Sequence, residues 1–143
     1  GPSRTAGHIF YNFPKDQFVY AGRTQTTQDL SAVTAACMMT KKSLYFRLQG
    51  LDENFQVAFN DIDYCLRMRE LGKLVVYNAY VEMYHYESLT RGSDKNVENK
   101  KRFSEEVKLF KKRWGKILKN GDPYYNPNLS LARSDCSLRK RNE

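Results

Sequence analysis

The stretch Asn60-Asp61-Ile62-Asp63-Tyr64-Cys65-Leu66-Arg67-Met68-Arg69-Glu70-Leu71-Gly72 is the most strongly patterned part of the chain. Asn60 or Asp61 suits a helix start, because a short oxygen side chain accepts the free N–H groups of a first turn. Ile62, Cys65, Leu66 and Leu71 form one apolar stripe with Met68 near its edge, and Arg67, Arg69 and Glu70 lie mainly off it. Gly72 ends the helix. Two carboxylates thus stand at a helix N-terminus, where the helix dipole favours an anion. An ionised aspartate there suits a general base if an acceptor hydroxyl comes within hydrogen-bond reach. Ordinary capping explains the same spacing, and both readings are open at this point.

On the N-terminal side, Val33-Thr34-Ala35-Ala36-Cys37-Met38-Met39 is a short apolar run of small residues and reads as a buried strand. Lys41 to Leu48 has helical spacing and stops at Gly50, and Leu51 to Phe55 is a turn. Residues 1–30 hold no period and read as a loop-rich segment packed through its aromatics. On the C-terminal side, Lys73 to Tyr77 and the alternating Tyr80 to His85 read as two strands. The second closes on Tyr84-His85-Tyr86-Glu87-Ser88. A histidine at a strand end is a candidate ligand for a divalent metal or a phosphate, and equally a hydrogen-bonded structural residue. From about residue 97 to 119 a long amphipathic helix is expected, capped by Ser93 or Asp94. Phe103, Val107, Phe110, Trp114, Ile117 and Leu118 recur at spacings of three and four, with Lys100, Lys101, Arg102, Lys108, Lys111, Lys112 and Lys116 on the other faces.

Charge divides the chain in the same place. Residues 1–90 carry 9 basic and 9 acidic side chains, and residues 91–143 carry 15 and 7, so the whole net charge of +8 lies in the C-terminal part. A uniformly basic nucleic-acid domain is therefore excluded; no zinc-finger spacing or RNA-recognition motif occurs, and no nucleic-acid partner is expected. The 143 residues, 41% hydrophobic and 28% charged, suit one globular unit. Three scattered cysteines give neither a disulfide framework nor a zinc knuckle, and fit a reducing compartment; Cys37 and Cys65 read as small core residues. No run of about 18 apolar residues offers a membrane-spanning helix. The opening Gly1-Pro2-Ser3, without a starting Met, reads as a protease scar or an internal cut of a longer polypeptide.

From Ser31 the chain resembles the C-terminal part of family 2 glycosyltransferase domains, which are inverting, nucleotide-sugar-dependent enzymes of the GT-A fold. The likeness rests on an ordered set: the small-residue run Ala35-Ala36-Cys37, Gly50-Leu51-Asp52-Glu53, the acidic opening Asn60-Asp61 with Leu66-Arg67-Met68-Arg69, the Gly72-led strand, and Tyr84-His85-Tyr86-Glu87-Ser88. It extends from Ala6-Gly7-His8 to the exit Gly121-Asp122-Pro123-Tyr124-Tyr125-Asn126-Pro127-Asn128. The resemblance implies an α/β fold, the C-terminal portion of a Rossmann-like GT-A domain, with residues 1–92 as its acceptor-side half and 93–143 as a basic amphipathic helix and tail.

The same resemblance implies roles. Asp61 matches the catalytic base that takes the proton from the acceptor hydroxyl. Asn60, standing where the family often has Glu, Asp63 and Ala36 are the acceptor-side residues, Asp63 also being a candidate support for Asp61 or a simple cap. His85 matches a position that completes a metal or diphosphate site in some relatives, so a divalent metal, Mn or Mg, is expected in the full-length enzyme. Arg67 pairs structurally with an acid near the helix. The implied partners are a nucleotide-sugar donor and a saccharide or lipid-linked acceptor, in bacterial polysaccharide biosynthesis. One departure dominates: the donor-binding half is missing. Asp61-Ile62-Asp63 has the letters of a metal-binding Asp-x-Asp but sits in the acceptor-side block, and there is no Gly-rich phosphate loop. This chain alone is expected to be inactive. The alternative is a non-catalytic module whose basic helix meets an anionic membrane surface or a protein, the apolar stripe otherwise packing on the missing N-terminal half. A cytoplasmic location, peripheral at the inner membrane face, fits either.

Overall fold

A computed structural model describes residues 5–11, 13–14, 17–84 and 97–142. Its centre is α2, Asn60–Glu70, flanked by the short α1, Lys42–Arg47, and the long α3, Val97–Asn120. Two-residue strands, β1 (Gln28–Asp29) and β2 (Val76–Tyr77), pair antiparallel with Gln28 opposite Tyr77 and Asp29 opposite Val76. The Leu30 amide extends this ladder to the Val75 carbonyl at 2.8 Å.

Both neighbours of α2 follow from its sequence. Leu66 meets Phe55, Phe59, Phe110 and Trp114, with Ile62, Val107, Ile117 and Leu118 around them. Tyr64, Cys65 and Met68 meet Val75, with Ala32, Val33, Met38, Leu44 and Leu48 around them. The helix is therefore buried on two faces, and Met68 belongs to the core rather than its edge. Gly72 ends α2 as expected: at φ +69° it lets the Gly72 amide reach the Arg69 carbonyl and the Lys73 amide reach the Met68 carbonyl. Gly50 ends the α1 turn at φ +71°, where a Cβ would stand 2.9 Å from the Tyr45 ring.

Two expected strands do not form among the described residues. Val33 to Met39 forms a 3-10 turn, Ala35–Cys37, rather than a strand, and Thr34 to Cys37 are exposed. Its amides are drawn off by side chains: the Ala35 N–H donates to Asp61 and the Ala36 N–H to Thr34 Oγ1 at 3.3 Å. Cys37 is accordingly exposed, not a core residue, whereas Cys65 is buried. Tyr80 closes a turn in which the Tyr80 N–H donates to Asn78 Oδ1 and the Val81 N–H to the Asn78 carbonyl, and Val81 to Tyr84 form no strand, with every side chain exposed. Ser93 and Asp94 lie outside the described residues.

α3 packs on this chain's own residues. Phe110 and Trp114 are buried, and Phe59 stacks on the Phe110 ring at 4.9 Å. Lys100, Lys101, Lys108, Lys111, Lys112, Lys116 and Lys119 face solvent. The tail folds back beyond α3. Arg23 donates to the Tyr124 carbonyl at 2.8 Å and Ser31 Oγ to Asp122 at 2.6 Å, while Arg69 lies over the Tyr124 ring. Leu129 bridges Leu138 over buried Ser130 and Cys136. Tyr125 donates its hydroxyl to the Ser130 carbonyl; burial and the adjacent Cys136 push its pKa up to about 12. Among the described residues no helix is long and apolar enough to cross a membrane.

Candidate active site at the start of the central helix

The chain enters α2 through Phe59, which sits in the left-handed region at φ 69°, ψ −2° and provides no side-chain cap. This corrects the expectation that Asn60 or Asp61 is the cap residue. Their oxygens still take first-turn amides: Asn60 Oδ1 accepts from the Asp61 N–H at 2.7 Å, and Asp61 Oδ1 from the Ile62 N–H at 2.8 Å. Asp61 Oδ2 accepts from the Ala35 N–H at 3.0 Å. The half-buried Asp61 carboxylate is thereby oriented by backbone donors from two segments. A carboxylate has about four lone-pair directions, so two bonds leave acceptor capacity for a further proton donor. Ala36 lies in the exposed turn beside this contact, and Asn60 borders a shallow cleft with Leu51, Asp52, Glu53, Phe55 and Gln56. Asp61, Asn60 and the Ala36 turn thus share one end of α2.

Asp63 sits elsewhere. It is 0% exposed and presents no surface to a ligand. Its Oδ2 accepts from Arg67 Nε at 2.8 Å, and its Oδ1 from Arg113 Nη1 at 2.7 Å and Trp114 Nε1 at 2.9 Å. Arg67 is the structural partner expected of it, and also donates to the Leu48 and Gly50 carbonyls at the end of α1. Arg113 bridges to Asp52 at 2.6 Å and lies over the Phe55 ring. Burial works against ionisation at Asp52. The Asn54 amide and Arg113 outweigh it and hold that carboxyl below its ordinary value. Burial likewise opposes the Arg113 charge, but Asp63 and Asp52 outweigh it and raise its pKa. At Cys65, burial raises the thiol, despite a contact with the Val33 carbonyl.

His85 lies outside the described residues. Among the described residues no three His, Cys, Asp and Glu side chains converge to hold a metal ion.

Glu106 was not singled out by the sequence pattern. It is buried on α3, with Oε1 accepting from the Gln56 and Val57 N–H groups at 3.1 and 3.2 Å and Oε2 from the Ala58 N–H at 2.8 Å. A signal for it exists: Glu106 and Arg113 fall within the three-four stripe of Phe103, Phe110 and Trp114, where a charge must have a partner.

Comparison with known proteins gives two informative matches. The chain is 41% identical over 139 residues to the uncharacterized protein y4gI of Sinorhizobium fredii, covering 96% of this chain and 15% of that protein. It is 34% identical over 144 residues to the O-antigen biosynthesis protein RfbC of Myxococcus xanthus, covering 100% of this chain and 11% of that protein. The chain therefore spans a small part of the curated relatives it matches. No family model matches it, and no solved structure matches it.

Proposed function

We propose that this chain is the acceptor-side part of an inverting glycosyltransferase of the GT-A fold, acting in polysaccharide biosynthesis. The observation that carries the reading is the Asp61 carboxylate, held by the Ile62 and Ala35 amides beside an exposed turn of small side chains. The likeness to a protein named for O-antigen biosynthesis supports the substrate class.

In this reading Asp61 accepts the proton of an acceptor hydroxyl as that oxygen bonds to the anomeric carbon of a nucleotide-sugar. The bond from that carbon to the nucleoside diphosphate breaks, and the diphosphate leaves with its electron pair. The attack comes from the face opposite the leaving group, so the anomeric configuration inverts. Backbone donors hold the carboxylate aimed, which a base needs before the acceptor arrives. Small side chains at Ala35 and Ala36 leave room for a sugar ring. A divalent cation, Mn or Mg, would neutralise the leaving diphosphate. The donor site belongs to other parts of the polypeptide.

The test uses the full-length protein with a panel of UDP- and dTDP-hexoses, following nucleoside diphosphate release and the anomeric proton coupling of the product. Inversion is expected. A product that retains the donor configuration contradicts a single displacement with Asp61 as base.

A further inference from the structure

We propose that Glu106 is a positioning residue for Asp61, acting from α3 through the backbone that leads into α2. The proposal rests on the reading of Asp61 as the base. The Glu106 side chain is 4% exposed, and both of its oxygens point at three consecutive amides, Gln56, Val57 and Ala58. Consecutive N–H groups turned to one side make a concavity that favours an anion, and bonds to an ionised acceptor are stronger than neutral ones. Arg102, one turn earlier on α3, stands 3.9 Å from Oε1 and balances the charge.

What the clamp fixes is the approach to the base. Ala58 is followed by Phe59 in the left-handed conformation, which costs energy for a residue with a Cβ and persists only where its surroundings impose it. Those surroundings also come from α3: Phe59 stacks on Phe110 at 4.9 Å and on Phe103 at 5.8 Å. One helix thus holds residues 56–59 by a carboxylate and two rings, and Asp61 follows two residues later. Its carboxylate is pinned on the far side by Ala35 N–H. Releasing residues 56–58 frees one of the two anchors between which Asp61 is aimed. Proton abstraction depends steeply on such placement.

Glutamine cannot replace the carboxylate, since it offers one acceptor oxygen and turns an N–H group toward an N–H. The test measures turnover of the full-length protein with whichever UDP- or dTDP-hexose gives the fastest nucleoside diphosphate release. The variants are Glu106→Gln, Asp61→Asn and the double variant, each checked for folding by circular dichroism. Glu106→Gln is expected to lower kcat by roughly ten- to a hundredfold with KM for the nucleotide-sugar little changed. The double variant is expected to be no slower than Asp61→Asn, because a residue that acts through Asp61 has nothing left to position. Glu106→Asp keeps the charge with a shorter reach; it is expected to lose less and provides the same readout if the glutamine variant folds poorly. If Asp61→Asn is slow while both Glu106 variants keep wild-type kcat, or if the two losses multiply in the double variant, the positioning role is overturned and the base reading stands. If Asp61→Asn itself turns over at the wild-type rate, the base reading falls and this proposal with it.

Discussion

Two aspartates two positions apart meet opposite environments. Asp61 is half-buried and bonded to backbone amides, whereas Asp63 is enclosed by two guanidiniums and an indole. Replacing Asp63 by Asn removes the charge that both Arg67 and Arg113 face, and sets an amide N–H or a neutral oxygen against three donors. Removing one partner of a buried pair costs about 3–5 kcal/mol. Both guanidiniums retain some exposure, 20% and 33%, so the lower end applies. Asp63→Asn is expected to lose ~3 kcal/mol in urea denaturation, and Asp61→Asn at most about 1 kcal/mol. Equal midpoints for the two variants would show that the enclosed Asp63 and the half-buried Asp61 contribute alike to stability. The Arg67 pairing was legible from its place one turn after an acid. The burial of Asp63 was not, because its partners Arg113 and Trp114 lie about fifty residues away and no local spacing reports them.

At the scale of elements, the helices were legible and the strands only in part: Val76–Tyr77 pairs within the expected Lys73 to Tyr77 strand, whereas Val33 to Met39 forms none. α2 and α3 declare themselves through period, and Gly72 and Gly50 end their turns by a left-handed conformation that any other residue enters at a cost. The run Val33 to Met39 has strand composition, but a strand needs a partner for its amides, and here Asp61 and Thr34 take them. The start of α2 was legible to within a residue, but not its manner, since nothing in the sequence marks Phe59 as left-handed. That conformation sets up a competition. Phe59→Gly relieves about 1–2 kcal/mol of backbone strain, yet deletes a ring whose loss from a core costs about 3–5 kcal/mol. Packing wins, and a net loss of ~2 kcal/mol is expected in the denaturation midpoint. A stabilised Phe59→Gly would show that the Phe103 and Phe110 stacking contributes little.

At the scale of the molecule, the charge boundary near residue 90 separates two compositions that share one core. The lysine-rich α3 contributes Phe110 and Trp114 to the packing of α2, the Glu106 clamp to its entry and Arg113 to its buried aspartate. Its lysines form the solvent-facing side of a helix whose apolar side packs into the core. Of the candidate site residues drawn from the ordered motifs, Asp63 is buried away from the others and His85 lies outside the described residues. Asp61, Asn60 and the Ala36 turn do meet at one end of α2, while the residues that hold that end in place come from α3 and had to be seen in three dimensions. Asp61 is the residue on which catalysis by the full-length protein is proposed to depend. Turnover of the full-length protein with a nucleotide-sugar donor should fall by about 10²- to 10⁴-fold in Asp61→Asn, with unchanged folding and donor KM. Turnover near the wild-type value in that folded variant would contradict it.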